Sequence, residues 1–567
     1  MPGGSQKATP PSRTTIQIAV TLLAAVVLTA TLVITKPATA PACQRLVIAS
    51  SAEKFGMLVD FAATYNGSSG RSASPCVTVA VEQVNSGDAE AALEQGWAAQ
   101  PMERPDVWAP ASSAWVNLLI QASSERVIKP VGNPRSLFKS PLVIGIPKPM
   151  ADALDYPAKP LGWRDIFALV KNPAAWHAVS RPEWGPFRLG KTNPTVSTSG
   201  LHALIGTYFA APGTGLTVDR VKSAPVRDFV AGVEAGVVHY GQTAGDFLRN
   251  LRDASDHGQA MLYVSAIAVE EQELVDYNAG IIGGKRYGAP GVSLVAVYPS
   301  EGTPVADHPY VILNASRQVA ANDFFNFLGN PEQQQLIDAH GFRGVGAFDR
   351  GLVGPSLIQH KFIDASQPGV VVQPPQGAVL SAMLSAWQLS RKRARVLILV
   401  DAGADAALLK QATQSLADAV GRFNSTDFAG VWVFPAPSGY PTPYTELVAV
   451  ARISGELNVR LRSIAHTADK PNVAASLKAA VDRMSIGYDP AAVDAVLLVE
   501  MSPGKDPTQD DVQLQQFLRN QPVEHFVRVF TIGPDSPRLG DYALAGRGLA
   551  YQPGSASHLL NDVISNF

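Results

Sequence analysis

The chain has 567 residues, which at about 150 residues per domain corresponds to three or four domain equivalents and excludes a single small module. Its 46 lysine and arginine residues nearly balance 48 aspartate and glutamate residues, and no segment concentrates basic residues into a stripe, so we expect no nucleic-acid partner. A hydrophobic fraction of 46% is enough to build folded cores, which excludes a disordered chain.

The first predicted element is an apolar segment at residues 16–34, which follows a short tail at residues 1–15. As a helix rising 1.5 Å per residue it spans roughly 28 Å, close to the hydrocarbon thickness of a bilayer. Lys7 and Arg13 precede it without any acidic residue, so the tail is predicted to be cytoplasmic and the bulk of the chain extracytoplasmic, with residues 16–34 as a single-pass membrane anchor.

Two alternatives for this segment remain open. A signal peptide could be cleaved after the small residues Ala38 and Ala40, although Pro41 follows directly and the apolar run is long for a signal. A lipoprotein would be modified at Cys43, although the Leu-rich box expected before that cysteine is missing.

The sequence contains two cysteines, Cys43 and Cys76, which precede apolar runs at residues 46–49 and 77–81 that are predicted as strands. If these strands are parallel neighbours joined by a helix over residues 54–65, both thiols lie at one edge of the sheet, close enough to form a disulfide. An exported chain keeps such a bond. The alternative is two free thiols.

Residues 44–364 alternate short apolar strands with amphipathic helical stretches, which predicts an α/β domain with largely parallel sheets. The clearest strands lie at residues 141–146 and 292–298, and the clearest helices at 163–170 and 201–210. Residues 366–392 are predicted to be a linker, because they begin with a Pro- and Gly-containing stretch and end in a helix and a basic run. A second α/β series occupies residues 393–567, with predicted strands at 396–400, 431–434, 495–499 and 527–532.

Three hydroxyl-bearing turns in the first domain are candidate ligand contacts. Ser50 and Ser51 end the first strand, Ser112 follows a short strand near residues 106–107, and Ser199 belongs to a run of hydroxyls before the helix at 201–210. Hydroxyls and free backbone N–H groups at a helix N-terminus suit a polar or anionic ligand. Simple helix capping explains each turn separately, but their occurrence in both presumed lobes favours a shared cleft.

At these turns, residues 45–346 resemble the type 2 extracellular solute-binding proteins of the molybdate- and sulfate-binding kind. The resemblance also rests on residues 181–187 and 298–302. It implies two α/β lobes that close over a small-molecule ligand, and it implies Ser50, Ser51, Ser112 and Ser199 as ligand-binding residues. An oxyanion, a sugar and a peptide all remain candidate ligands.

An enzyme is the competing hypothesis for the first domain. Ser51 and Lys54 have the spacing of the Ser-x-x-Lys motif of serine acyl-transfer enzymes, but no Ser-Asp-Asn occurs, and Asn193 stands where their Lys-Thr-Gly element has glycine. The ten histidines are scattered without a zinc motif. We therefore predict no catalytic residues and no cofactor.

Residues 395–567 resemble a von Willebrand factor A domain, since an apolar strand ending in Asp401 is followed by a helix and further buried strands. The resemblance implies a protein-binding module. In that family an Asp-x-Ser-x-Ser element, a threonine and a later aspartate hold magnesium.

Here the magnesium residues are degenerate. Asp401 is present, but Gly403 offers no side-chain oxygen and Asp405 stands where a hydroxyl belongs. Pro471 aligns with the threonine, although Thr467 is nearby, and Glu500 replaces the later aspartate. We therefore predict that this domain binds its partner without a metal ion.

Together these features predict a membrane-anchored extracytoplasmic binding protein with a solute-binding-like domain and a protein-interaction domain. The alternatives are an accessory enzyme of the cell envelope and a structural platform that has lost its ligand.

Overall fold

The computed structural model describes residues 43–68, 76–98, 100–345, 362–421, 423–502 and 508–552. The predicted tail and anchor, residues 1–15 and 16–34, lie outside these described residues. Within the described ranges, no helix has the length and apolar character needed to cross a membrane.

The first domain contains fourteen strands in its described part. They are β1 (Gln44–Ser50), β2 (Val77–Gln83), β3 (Val107–Ala109), β4 (Arg135–Ser136), β5 (Ser140–Pro147), β6 (Leu189–Thr192), β7 (Val237–Gly241), β8 (Ala266–Glu270), β9 (Ile281–Ile282), β10 (Lys285–Arg286), β11 (Leu294–Val297), β12 (Thr303–Ala306), β13 (Pro309–Ile312) and β14 (Val371–Val372).

Its α-helices cover the faces of the sheets. They are α1 (Ala52–Gly67), α2 (Ser86–Glu94), α3 (Ser113–Gln121), α4 (Lys148–Ala153), α5 (Trp163–Lys171), α6 (Thr198–Ala210), α7 (Val218–Lys222), α8 (Ala224–Glu234), α9 (Ala244–Asp256), α10 (Ala260–Tyr263), α11 (Glu271–Asn278), α12 (Gln318–Leu328), α13 (Pro331–Ala339) and α14 (Gly377–Ser390).

Two sheets divide this domain into two lobes. Lobe 1 has the strand order β2-β1-β3-β13-β4, and lobe 2 has the order β14-β12-β5-β8-β6-β7 with β11 paired to β5. The chain crosses between the lobes at residues 137–139 and again at residues 307–308. All eight residues of β5 are buried, as expected for an apolar strand covered on both faces.

The predicted pairing of the first two strands and the predicted disulfide are confirmed. Strands β1 and β2 are parallel neighbours joined by α1, and Cys43 and Cys76 form a disulfide with their Cα atoms 4.7 Å apart. The two strands adjoin because the helical crossover returns the chain to the same edge of the sheet.

The predicted linker is packed rather than free. Strand β14 pairs with β12, and Leu380, Met383 and Trp387 of α14 are buried in the core of the first domain. Trp387 Nε1 donates a hydrogen bond of 3.1 Å to the buried carboxylate of Glu234. The apolar face of α14 accounts for this packing, and the segment between the domains is therefore held against α3 of lobe 1 and against α7 and α8 of lobe 2.

The second domain is a single doubly wound sheet between two helical layers. Its strands are β15 (Arg393–Asp401), β16 (Phe428–Phe434), β17 (Thr445–Arg452), β18 (Ala492–Val499), β19 (Arg528–Ile532) and β20 (Ala550–Tyr551), and its helices are α15 (Ala406–Val420), α16 (Gly455–Arg462), α17 (Val473–Ile486), α18 (Gln509–Arg519) and α19 (Pro537–Ala545). The order is β17-β16-β15-β18-β19-β20, parallel except for the edge strand β17. The four strands predicted from sequence are confirmed.

The second domain docks on lobe 2 through the amino-terminal ends of its strands. Arg528 Nε donates to the carbonyl of Val238 at 3.1 Å, and Arg547 Nη1 donates to the carbonyl of Leu262 at 3.0 Å. Burial, together with repulsion from Arg528 and Arg188, lowers the pKa of Arg547 to about 9. The interface therefore holds several buried positive charges that are satisfied mainly by backbone carbonyls.

Replacing Cys43 and Cys76 with serine should destabilise the fold. The disulfide closes a loop with a sequence separation of 33 residues. Loss of this crosslink costs about 3 to 4 kcal/mol in the chain-entropy treatment, because the unfolded chain gains freedom. Urea unfolding of the oxidised chain, the reduced chain and the double variant measures this difference, and equal stability of all three would contradict the prediction.

Candidate functional site

The candidate site is a polar cleft between the lobes. Lobe 1 contributes the start of α1 and the start of α2, and lobe 2 contributes the start of α6 and the segments after β7 and β8. The lining residues are Ser51, Ala52, Glu53, Asn85, Ser86, Val196, Ser197, Thr198, Ser199, Gln242, Thr243, Ala244, Glu270 and Glu273. Several helix N-termini and many hydroxyls therefore converge on one space.

The lobes touch directly beside this cleft. Gly87 N donates to the carbonyl of Val196 at 2.9 Å, and Trp115 Nε1 donates to Thr198 Oγ1 at 2.8 Å. A Cβ atom on Gly87 would lie 2.1 Å from the carbonyl oxygen of Thr195, so only glycine permits this approach. The cleft is therefore in a closed arrangement.

Ser51 is one of two hydroxyls, with Ser86, that lobe 1 presents to the cleft. It occupies the N-cap position of α1, but its side chain makes no capping hydrogen bond. Instead, Ser51 Oγ donates to Glu53 Oε1 at 2.5 Å and accepts a hydrogen bond from Lys54 Nζ. Capping, the simple explanation of this serine, does not account for its position.

A buried charged cluster connects the two lobes below Ser51. Lys54 Nζ lies 2.9 Å from Glu53 Oε1 and 3.4 Å from His308 Nδ1, and the Lys54 side chain is fully buried. On the other side, His308 Nε2 lies 3.2 Å from Glu270 Oε2. His308 belongs to the crossover at residues 307–308 and has a φ of 41°. The crossover thus places one imidazole between a lobe 1 ammonium and a lobe 2 carboxylate.

The carboxylates of the cleft have different protonation equilibria. Burial alone would raise the pKa of Glu53, but the charges of Lys54 and His308 and the Ser51 hydroxyl outweigh it and lower that pKa. Burial and the charge of Glu53 raise the pKa of Glu270 well above its ordinary value. Burial and the charge of Glu270 raise the pKa of Glu273 in the same way.

Of the other predicted ligand-binding residues, Ser199 also lines the cleft. Its Oγ lies 3.5 Å from Glu273 Oε2. Ser50 is fully buried, and its hydroxyl donates to the carbonyl of Ser51 at 3.1 Å, away from the cleft space. Ser112 caps α3 by accepting from Ala114 N at 3.1 Å. The structure thus brings Ser51 and Ser199 together and places Ser50 and Ser112 behind them.

Sequence reasoning missed the acidic residues of the cleft. Glu270 and Glu273 lie at the start of α11, where acids ordinarily stabilise a helix N-terminus, and that reading hides a second role. His308 lies on a crossover whose position depends on the pairing of distant strands. The one available signal was that Glu270 directly ends an apolar strand, as ligand-facing residues of α/β sheets often do.

Residues 46–343 match the sequence family described as bacterial extracellular solute-binding protein. The chain belongs to this family. The match confirms the resemblance that the sequence of the first domain indicated. No curated protein matches this chain.

Solved structures with similar folds include solute-binding proteins. The periplasmic binding protein AfuA from Actinobacillus pleuropneumoniae, with bound fructose-6-phosphate, is 15% identical over 61% of this chain and 98% of its own, with a TM-score of 0.39. Maltose-bound MalE3 from T. maritima is 12% identical over 61% of this chain and 94% of its own, with a TM-score of 0.41.

For the second domain, a von Willebrand factor type A structure from Catenulispora acidiphila is 15% identical over 31% of this chain and 42% of its own, with a TM-score of 0.25.

The carboxyl-terminal edge of the second sheet carries the degenerate magnesium residues. Asp401 Oδ1 accepts a hydrogen bond of 2.8 Å from Gly403 N, and Asp405 caps α15 by accepting from Ala407 N and Leu408 N. Both carboxylates are thus engaged by backbone groups.

Arg538 supplies positive charge at this edge. Its guanidinium forms a buried ion pair with Glu500. Burial raises the pKa of Asp401, and the Gly403 N–H and the charge of Arg538 offset only part of this effect. Thr467, the alternative threonine, lies nearby and donates its Oγ1 proton to Asp469 Oδ2 at 3.1 Å. Because these acids are already paired or capping, the residues do not fit an octahedral magnesium site.

Gly87→Ala should hold the lobes of this solute-binding protein apart. The added methyl group meets a backbone carbonyl of the opposite lobe, so the closed arrangement would lose about 1 to 3 kcal/mol or would open. Spin labels at the exposed positions Ala63 and Asp228 report the separation of the lobes, and we expect a longer distance in the variant. Gly56→Ala, where a Cβ meets nothing within 4 Å, is the matched control. An unchanged distance in Gly87→Ala with unchanged stability would contradict the closed geometry.

Magnesium should not stabilise the full chain beyond the effect of sodium chloride at equal ionic strength. Arg538→Ala should instead destabilise the second domain by about 3 to 5 kcal/mol, because it leaves the buried carboxyl of Glu500 without its partner. Thermal melts with and without MgCl2 measure both effects, and Arg460→Ala, at an exposed ion pair, is the control. A magnesium-specific rise in melting temperature that Asp401→Ala removes would refute this.

Proposed function

We propose that this chain is an extracytoplasmic receptor that binds a small polar molecule in the interlobe cleft. The observation that carries the proposal is the wall of hydroxyls from both lobes around one closed space, in which the Ser51 side chain is free of any capping role. Gln242 adds a side-chain nitrogen that is buried and has no hydrogen-bond partner among the described residues. Such polar groups fix the orientation of a ligand and are matched when the ligand is bound.

The second domain would transmit or anchor this activity by contacting another protein. Its docking on lobe 2 uses the amino-terminal strand ends, which leaves the opposite edge with Asp401 and Asp405 turned away from the first domain. We propose that this edge recognises its partner without a metal bridge. The apolar segment at residues 16–34 would hold the receptor in the cell membrane as a single-pass anchor.

Serine acyl transfer is the weaker alternative, although Ser51 and Lys54 are in contact. In acyl transfer a base must accept the serine proton. Here Ser51 donates to Glu53, whose lowered pKa makes its carboxylate a weak base, and Lys54 donates to Ser51 and is ion-paired with the same carboxylate. Lys191, the candidate second lysine of such enzymes, is buried in an ion pair with Glu234. This arrangement supports binding rather than catalysis.

Ligand binding is tested by melting the full chain in detergent with a small-molecule extract of the source cells. We expect a higher melting temperature, with the bound compound recovered by mass spectrometry. Ser51→Ala and Ser199→Ala should each weaken binding by about 0.5 to 1.5 kcal/mol for a neutral hydrogen bond.

Ser50→Ala is the matched control, because that hydroxyl lies outside the cleft lining. A stabilisation that persists unchanged in both cleft variants would remove these serines from the site. The absence of any stabilisation by the extract would favour a ligand-free platform.

A further inference from the structure

The cleft has an unbalanced set of charges. Three carboxyl groups, those of Glu53, Glu270 and Glu273, face the single ammonium of Lys54. His308 adds no charge near neutral pH, because burial and the charge of Lys54 lower its pKa to about 3. With every carboxyl ionised, the cluster therefore carries two negative charges in excess.

Glu270 is the group that lacks a counterion. Its side chain is buried, and its Oε2 lies 3.2 Å from His308 Nε2 but makes no hydrogen bond with the described residues. Glu273 Oε2 accepts a hydrogen bond of 3.4 Å from the backbone N–H of Glu270 at the start of α11. This contact engages only one of the two carboxylate oxygens of Glu273. A buried carboxylate without a partner is costly unless a cation approaches it.

We propose that the ligand of this cleft is an organic cation whose alkylammonium group donates hydrogen bonds to the carboxylates of Glu270 and Glu273 and to the hydroxyl oxygens of Ser51 and Ser199. The inference rests on the proposed receptor function and names the class of its ligand.

An anionic ligand fits the same space poorly. Helix N-termini attract anions, and the first turn of α6 carries no acidic residue, but Glu53 lies in the first turn of α1 and Glu273 in the first turn of α11. The one ammonium in the cluster is taken by Glu53. An added anion would meet repulsion from both glutamates of lobe 2.

A metal ion is also disfavoured, although Glu53, Glu270 and His308 each offer a ligand atom within 4.8 Å of the others. Lys54 Nζ lies 2.9 Å from the Glu53 oxygen and 3.4 Å from the His308 nitrogen. A metal ion among these three groups would therefore sit beside a positive charge. A ligand ammonium at the Glu273 side of the cleft avoids this repulsion.

The proposal predicts opposite pH trends for binding and for stability. Burial raises the pKa of both Glu270 and Glu273. The two carboxyl groups also act on each other, and the charges of Glu53, Lys54 and Asp276 lie close enough to contribute. A carboxyl whose pKa is raised on folding lowers stability as pH increases from its unfolded value near 4.5 through its folded value. A cationic ligand binds the ionised form, so its affinity increases over the same range.

The test is isothermal titration of the full chain with 1,4-diaminobutane and spermidine at pH 6 and pH 8. Two four-carbon compounds serve as controls for 1,4-diaminobutane: 1,4-butanediol is neutral and succinate is anionic. MnCl2 and ZnCl2 test for a metal site. Alkylamines titrate near pH 10, as lysine does, so the amines stay charged at both values. We expect at least one amine to bind, and to bind more tightly at pH 8 than at pH 6. We expect neither 1,4-butanediol nor succinate to bind.

Glu270→Gln and Glu273→Gln should each weaken amine binding by about 10- to 100-fold, as expected for a hydrogen bond to a charged group. Both variants keep the shape of the side chain, and we expect their unliganded melting temperatures at pH 8 to equal or exceed that of the native chain. Glu332→Gln, at an exposed position, is the matched control.

The outcomes separate this proposal from the receptor function. Binding of succinate, of the diol or of a metal ion in place of the amines overturns the cationic ligand but leaves a working cleft. If a cell extract stabilises the chain but neither amine binds, the cationic ligand is likewise overturned and the receptor function stands. If neither the extract nor any probe binds, the receptor function fails as well.

Discussion

The close approach of the lobes at Gly87 is the contact on which the candidate site depends. Because no side chain separates Gly87 from the backbone of residues 195 and 196, the starts of α2 and α6 lie against each other. This approach turns two separate groups of hydroxyls into one enclosed wall. Burial in this closed arrangement also raises the pKa of Glu270 and Glu273, the lobe 2 carboxyl groups of the cleft.

Burying these charges works against the stability of the empty closed form. The ammonium of Lys54 compensates the charge of Glu53. Glu270 and Glu273 are neutralised either by protonation or by binding another cation. A receptor that stores this penalty closes more readily when a ligand removes it, since a ligand shifts an equilibrium only by its preference for one state. The same groups thus connect ligand chemistry to lobe closure.

Much of the fold followed from the sequence because its signals are local. The apolar runs predicted β1, β2, β5 and the parallel strands of the second domain, and the position of Cys43 and Cys76 beside two such runs gave the disulfide. The composition of the cleft was harder to predict from the sequence. Ser51 and Ser199 stand beside strand ends and helix starts, but Glu270 and His308 meet only because the crossover between lobes brings together residues far apart in the chain.

The docking of the second domain follows from the direction of its strands. In a parallel sheet all amino-terminal ends lie at one edge, and Arg528 at the start of β19 reaches the carbonyl of Val238 in β7. Asp401 ends the nine-residue strand β15, so it lies roughly 30 Å from the docked edge at about 3.3 Å per residue. Strand β7 runs on from Val238 to Gly241, and Gln242, the next residue, lies in the cleft wall. One strand of lobe 2 therefore touches both the second domain and the cleft, whereas the edge that carries Asp401 remains open to a partner.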